Sequence, residues 1–190
     1  MKAAIVLLVN TPIQNFNRRI VFELNTHYQV SFYASLLPSH VSLKQPFAFE
    51  DMDVLEKYFD ALAARTPPFD LQLDRFYSEE WAGYGILGVN VVESPILRGL
   101  HNQLNGELSR LFKDTRAAHD GSEYHFHMTI EMGKVEGLNP FQAYFDGLAD
   151  RQVNFTYRVK EMALFYYAEE AGRGVTFINY RVMPLGGLSG

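Results

Sequence analysis

Two histidines in this chain head nearly the same four residues, His40-Val41-Ser42-Leu43 and His127-Met128-Thr129-Ile130. In each, a hydroxyl side chain follows the imidazole by two positions, inside a run that reads as a strand. A β-strand sends successive side chains to opposite faces, so His40 shares a face with Ser42 and His127 with Thr129. Val41, Leu43, Met128 and Ile130 then turn toward an apolar layer. An imidazole titrates near ~6.5, so at neutral pH one of a pair can accept a proton while the other gives one. The hydroxyls are neutral donors that can hold non-bridging phosphoryl oxygens. In-line displacement at phosphorus needs a base for the attacking oxygen, an acid for the leaving oxygen and donors for the equatorial oxygens.

The elements that carry the two motifs recur in order. After the first motif comes Tyr58-Phe59-Asp60-Ala61-Leu62-Ala63-Ala64-Arg65, and after the second Tyr144-Phe145-Asp146-Gly147-Leu148-Ala149-Asp150-Arg151, identical at six of eight positions and offset by 86. The histidines are offset by 87, and the strands that follow (Phe69, Leu71, Leu73 against Phe155, Tyr157, Val159) by 86. Ahead of the motifs, Thr11-Pro12 and Ser94-Pro95 each read as an N-cap with proline at the first helical position. Four collinear landmarks indicate an internal duplication.

Two His-x-hydroxyl strands, one per half of a chain of this size, resemble the 2H phosphoesterase superfamily, which includes bacterial 2′-5′ RNA ligase-like proteins and 2′,3′-cyclic phosphodiesterases. Pro38-Ser39-His40-Val41-Ser42-Leu43-Lys44 is close to that family's first motif, with Ser where Thr is commoner. The resemblance implies an α+β fold of two pseudo-symmetric lobes in one domain over 1–190. Each lobe would be a mainly antiparallel sheet backed by two helices, with the two His strands side by side in a central cleft. It implies catalysis by His40 and His127, phosphate held by Ser42 and Thr129, and no cofactor. The expected substrate is a nucleotide or RNA end carrying a 2′,3′-cyclic phosphate or a 2′-5′ linkage. Hydrolysis would use His127 as base and His40 as acid, an assignment that symmetry leaves reversible. A module that binds a nucleotide or phosphate without turnover is the alternative.

Further substrate contacts are expected at Lys44, Phe47, Tyr124 and His125, with Phe49 and Tyr84 as other rings on which a base could stack. Each has a plain reading beside it: a solvated lysine, core rings, an ordinary strand histidine. His125 and His127 share a strand face with His119 nearby, which suggests a metal site, but a site also needs a third ligand and a second shell. The expectation is no metal. His27 and His101 fall within helical patterns and receive no role.

Composition sets outer limits. The 190 residues suit one domain, 47% are hydrophobic, and the net charge is −5 without any Lys/Arg cluster beyond pairs such as Arg18-Arg19. A protein that grips long nucleic acid needs a basic stripe, so no extended nucleic-acid surface is expected. Cysteine is absent, which excludes disulfides and thiolate chemistry. The apolar run Ala3–Val9 reads as a buried first strand rather than a signal peptide, and no stretch reaches the ~20 apolar residues of a membrane span. A cytoplasmic monomer is the expectation. Helices are expected near 12–24, 51–65, 95–112 and from 139. Strands are expected near 3–10, 69–76, 84–92, 124–132, 153–167 and 174–182, with a short strand or an extended loop over 28–34 and a loop at Lys44–Phe49 after the first motif.

Overall fold

The computed structural model describes residues 1–28, 37–81, 84–134, 140–148, 151–170 and 174–186. Among them the order is β1 (Lys2–Leu8), α1 (Thr11–Tyr28), β2 (His40–Ala48), α2 (Met52–Arg65), β3 (Phe69–Trp81), β4 (Tyr84–Val91), α3 (Pro95–Leu111), β5 (His127–Lys134), α4 (Pro140–Gly147), β6 (Phe155–Val159), β7 (Glu161–Glu170) and β8 (Gly174–Pro184). The fold is α+β, as expected, and its strands form one antiparallel sheet ordered β6-β3-β4-β5-β2-β1-β7-β8. The two His strands are neighbours at its centre.

The helices follow from apolar spacing and caps. Ile13, Ile20, Val21 and Leu24 of α1, Leu55, Phe59 and Leu62 of α2, and Leu97, Leu100, Leu104 and Leu108 of α3 are all buried in one continuous core. Val54 and Leu111 lie on the same helices but are exposed. Ser94 caps α3 by accepting from the N–H of Leu97 at 3.2 Å, and Asp51 caps α2 through Val54 at 3.1 Å. The cap of α1 is Asn10 rather than Thr11: its Oδ1 accepts from the N–H of Ile13 at 3.2 Å, which moves Pro12 to the second helical position.

That core lies on one face of the sheet and takes in residues of all four helices, with α1 and α4 over β3, β4 and β5, and α2 and α3 over β2, β7 and β8. A smaller apolar cluster of Ala4, Val6, Ala163 and Phe165, joined by Leu8, occupies the opposite face. The expected strand 153–167 is broken at Lys160 into β6 and β7, which lie on opposite sides of the β5–β2 seam. Successive Cα atoms are only ~3.8 Å apart, so the sheet must bend until these two strands nearly meet. The run 28–34 lies outside the described residues apart from residue 28, as do part of the Ala168–Gly174 turn and the end of the tail.

Candidate active site

His40 opens β2 and His127 opens β5. The two strands are antiparallel and pair Val41 with Met128, which sets His40 toward Thr129 and Ser42 toward His127 on the same face. Val41, Leu43, Met128 and Ile130 are fully buried in the helix-side core, so the motif side chains take the other face. His40, Ser42, His127 and Thr129 are half-buried there.

Each imidazole is held the same way. The Nδ1 of His40 lies 2.9 Å from the carbonyl of Pro38, and that of His127 lies 3.0 Å from the carbonyl of His125. A carbonyl only accepts, so each Nδ1 carries the proton and each Nε2 keeps a free lone pair. Burial pushes His40 down to about 4, against the effect of the Pro38 bond, and the charge of His127 adds to the depression. Burial also lowers His127, with His125 contributing in the same direction. Both rings are thus held below the usual imidazole value, which favours their neutral forms in the free protein at neutral pH.

The first motif is pinned from below. Ser39 donates its N–H to Gln14 Oε1 at 2.8 Å and accepts from Gln14 Nε2 on its carbonyl at 3.0 Å. Its hydroxyl accepts from Asn17 at 2.5 Å. Tyr124 Oη donates to the carbonyl of Ser42 at 3.0 Å, and His101 Nδ1 to that of Leu43 at 2.8 Å. His101 is fully buried and stacks on Tyr124 with ring centroids 4.3 Å apart.

This layer corrects several expectations. Strand β2 continues through the expected loop, and register shifts against β1 (Val6 opposite Ser42, Ile5 opposite Lys44) turn Lys44 out of the motif's alternation. Lys44 is fully buried and paired with Asp120, so it is neither solvated nor open to a ligand. Phe47, Phe49 and Tyr124 are core rings. His125 is exposed, next to His127, with ring centroids 5.8 Å apart. The side chains of Tyr84 and His27 lie outside the described residues. No group of three or more His, Asp or Glu placed to hold a metal occurs among the described residues, and no helix among them is long and apolar enough to cross a membrane. A cavity of about 490 Å³ between β3 and the α4–β6 connection, lined by Asp74, Arg75 and Arg151 among others, includes none of the motif residues.

Sequence reasoning passed over Gln14, Asn17, His101 and Asp120, whose partners are distant in the chain. It also passed over Tyr77 and Gly88. The ring of Tyr77 stands edge-on to His127 at 5.6 Å and covers Gly88, where an added Cβ would fall 2.3 Å from Tyr77 Cε1. A glycine inside a strand pattern is the one signal that could have marked the place.

A bent antiparallel sheet backed by helices, with paired His-x-hydroxyl strands at its centre, defines a 2H phosphoesterase-type protein. The chain belongs to the 2′-5′ RNA ligase superfamily, whose family model matches residues 11–171. A curated protein of Geobacillus sp. (strain WCH70), named "Putative phosphoesterase GWCH70_0799", is 26% identical over 171 residues, covering 89% of this chain and 90% of its own. Among solved structures, TT0787 of Thermus thermophilus superposes with a TM-score of 0.66 at 13% identity, covering 99% of this chain and 100% of its own. E. coli LigT complexed with 3′-AMP gives 0.57 at 20% identity over 97% of both chains, and its complex with NADP+ gives 0.59 at 17% over 97% and 98%. Likenesses this distant establish the shared fold.

Proposed function

We propose that this protein is a metal-independent phosphoesterase that opens 2′,3′-cyclic phosphates or cleaves 2′-5′ linkages of nucleotides or RNA ends by His/His acid–base catalysis. The observation that carries the reading is the matched anchoring of His40 and His127: each Nδ1 is occupied by the carbonyl two residues back, which leaves the lone pair on Nε2 in both rings. A phosphoryl group between them would meet Ser42 and Thr129 as donors to its equatorial oxygens. His127 takes the proton from the attacking water, and His40 gives one to the departing ribose oxygen. Since burial holds His40 near 4 in the free protein, the acid is protonated only when the negative charge of the substrate raises it. The 3′-AMP and NADP+ complexes of LigT support a nucleotide substrate, and the strand order about β2 and β5 supports the duplication.

The test is turnover of the four 2′,3′-cyclic nucleotides and a 2′-5′-linked dinucleotide by the purified protein, with and without chelator. The expected result is chelator-insensitive hydrolysis, reduced ~10²–10⁴-fold in both His40→Ala and His127→Ala. An activated phosphodiester with an acidic leaving group should spare His40→Ala and not His127→Ala; the opposite pattern exchanges the roles. Nucleotide binding without turnover would instead identify a binding module, and full activity in either variant ends the catalytic reading.

A further inference from the structure

The two histidines stand beside aromatic rings in matching places, and the rings differ by one hydroxyl. His40 is edge-on to Phe165 of β7, with centroids 4.9 Å apart at 86°, and His127 is edge-on to Tyr77 of β3, at 5.6 Å and 70°. Counted outward from the seam, β7 lies two strands beyond β2, and β3 two strands beyond β5. The strands between them differ in the same sense. Leu8 and Val6 sit across from His40 and Ser42, whereas Asn90 and Gly88 sit across from His127 and Thr129. One half of the site is walled by hydrocarbon and the other by polar groups and a bare backbone.

The Tyr77 hydroxyl lies over that backbone, 2.8 Å from where a Cβ of Gly88 would be, and Gly88 is the cross-strand partner of Thr129. The Tyr77 hydroxyl is buried and has no hydrogen-bond partner among the described residues. A phenol usually finds a partner when it is buried, because an unmet donor is costly. Burial also holds its pKa above the usual tyrosine range, so it keeps its proton and remains a donor. A lone donor next to the proposed phosphate-holding hydroxyl is suited to a phosphoryl oxygen, whose charge makes it a strong acceptor.

We infer that Tyr77 is a substrate-binding residue whose hydroxyl donates to a non-bridging phosphoryl oxygen alongside Thr129, and that the glycine at 88 makes room for it. This rests on the phosphoesterase reading above. The hydroxyl has no counterpart at Phe165, so it makes the site one-sided and gives a substrate a preferred orientation between two otherwise matched motifs.

The test compares wild type, Tyr77→Phe and Gly88→Ala. It uses calorimetric titration with inorganic phosphate and with nucleoside 2′- and 3′-monophosphates, and steady-state kinetics on any cyclic nucleotide that turns over. Tyr77→Phe keeps the ring and should melt with the wild type. It should bind monophosphates roughly tenfold or more weakly, as expected for a lost hydrogen bond to a charged acceptor, with a matching fall in kcat/KM. Gly88→Ala, which displaces the ring, should reproduce the loss. Unchanged phosphate binding in Tyr77→Phe overturns the inference, and so does a loss in Gly88→Ala alone, since the ring rather than the hydroxyl would then matter. A wild type that binds monophosphates but turns over nothing defeats the catalytic reading and leaves the Tyr77 comparison decisive. A wild type that binds no phosphate at all defeats both.

Discussion

The Nδ1 of His101 donates to the carbonyl of Leu43 across 58 positions of sequence, at 2.8 Å and without solvent. Its Nε2 accepts from the N–H of Gly121 at 3.1 Å and from Asn105 at 3.0 Å. One buried ring thus ties α3, the segment before β5, and the backbone of the first motif together in a single neutral tautomer.

Replacing His101 with Ala should therefore cost more than an ordinary core truncation. It leaves the Leu43 carbonyl and the Gly121 N–H buried and unmet, at about 1–3 kcal/mol for each such group before any cavity cost. The expected outcome in urea unfolding is a loss of several kcal/mol at unchanged m-value. Full stability in His101→Ala would show that water replaces the ring.

Lys44 and Asp120 form a buried ion pair, and Asp120 also accepts from the N–H of Ala117 at 2.7 Å. Lys44→Met should cost about 3–5 kcal/mol because it strands a carboxylate, while combining Lys44→Met with Asp120→Asn should recover much of that loss. Denaturant midpoints across the cycle check it. Phosphate affinity should stay the same in the double variant, since Lys44 points away from the motif face.

Asn17 and Gln14 hold Ser39, the residue before His40. Gln14→Ala should lose about 1–3 kcal/mol of stability. It should also lower kcat more than it raises KM, because a loosened Ser39 lets the His40 ring drift from its anchored orientation. Equal changes in both kinetic constants would place the effect in binding instead.

Stability should fall on acidification through the histidine range. His40, His101 and His127 are all held below the usual imidazole value, first by burial. A group depressed in the folded state takes up protons more readily when unfolded, so stability is complete above about pH 6.5 and declines below it, with the His40 contribution growing until about pH 4. Thermal midpoints measured from pH 8 to pH 4 should drop across that window, and the drop should be smaller in His101→Asn. A midpoint that rises between pH 7 and pH 5 contradicts the assignment.

The face carrying the motifs was legible because strand periodicity is a local property. His40 with Ser42, and His127 with Thr129, share a face as alternation requires, and the Ser94-Pro95 cap of α3 forms as expected. Lys44, expected to open a loop, instead continues β2 and is buried where register shifts against β1 interrupt the alternation, and no residue type announces such a shift. Phe47 and Tyr124 were misjudged because an aromatic ring looks the same in a core as in a cleft. The supports at His101, Asp120 and Asn17 were invisible because their partners are set by tertiary packing, 76 residues away for Asp120 and Lys44. The break at Lys160 went unseen because both of its flanks are good strand sequence, and only the bend of the sheet parts them.

That break bears on how the chain matures during synthesis. Strand β1 can pair with β2 once both have emerged from the ribosome, but its second edge must wait for β7, and β3 for β6. Nascent chains shorter than about 170 residues thus expose unpaired strand borders, the kind of surface that invites aggregation or a chaperone. Closure of the sheet is delayed until β7 has been made.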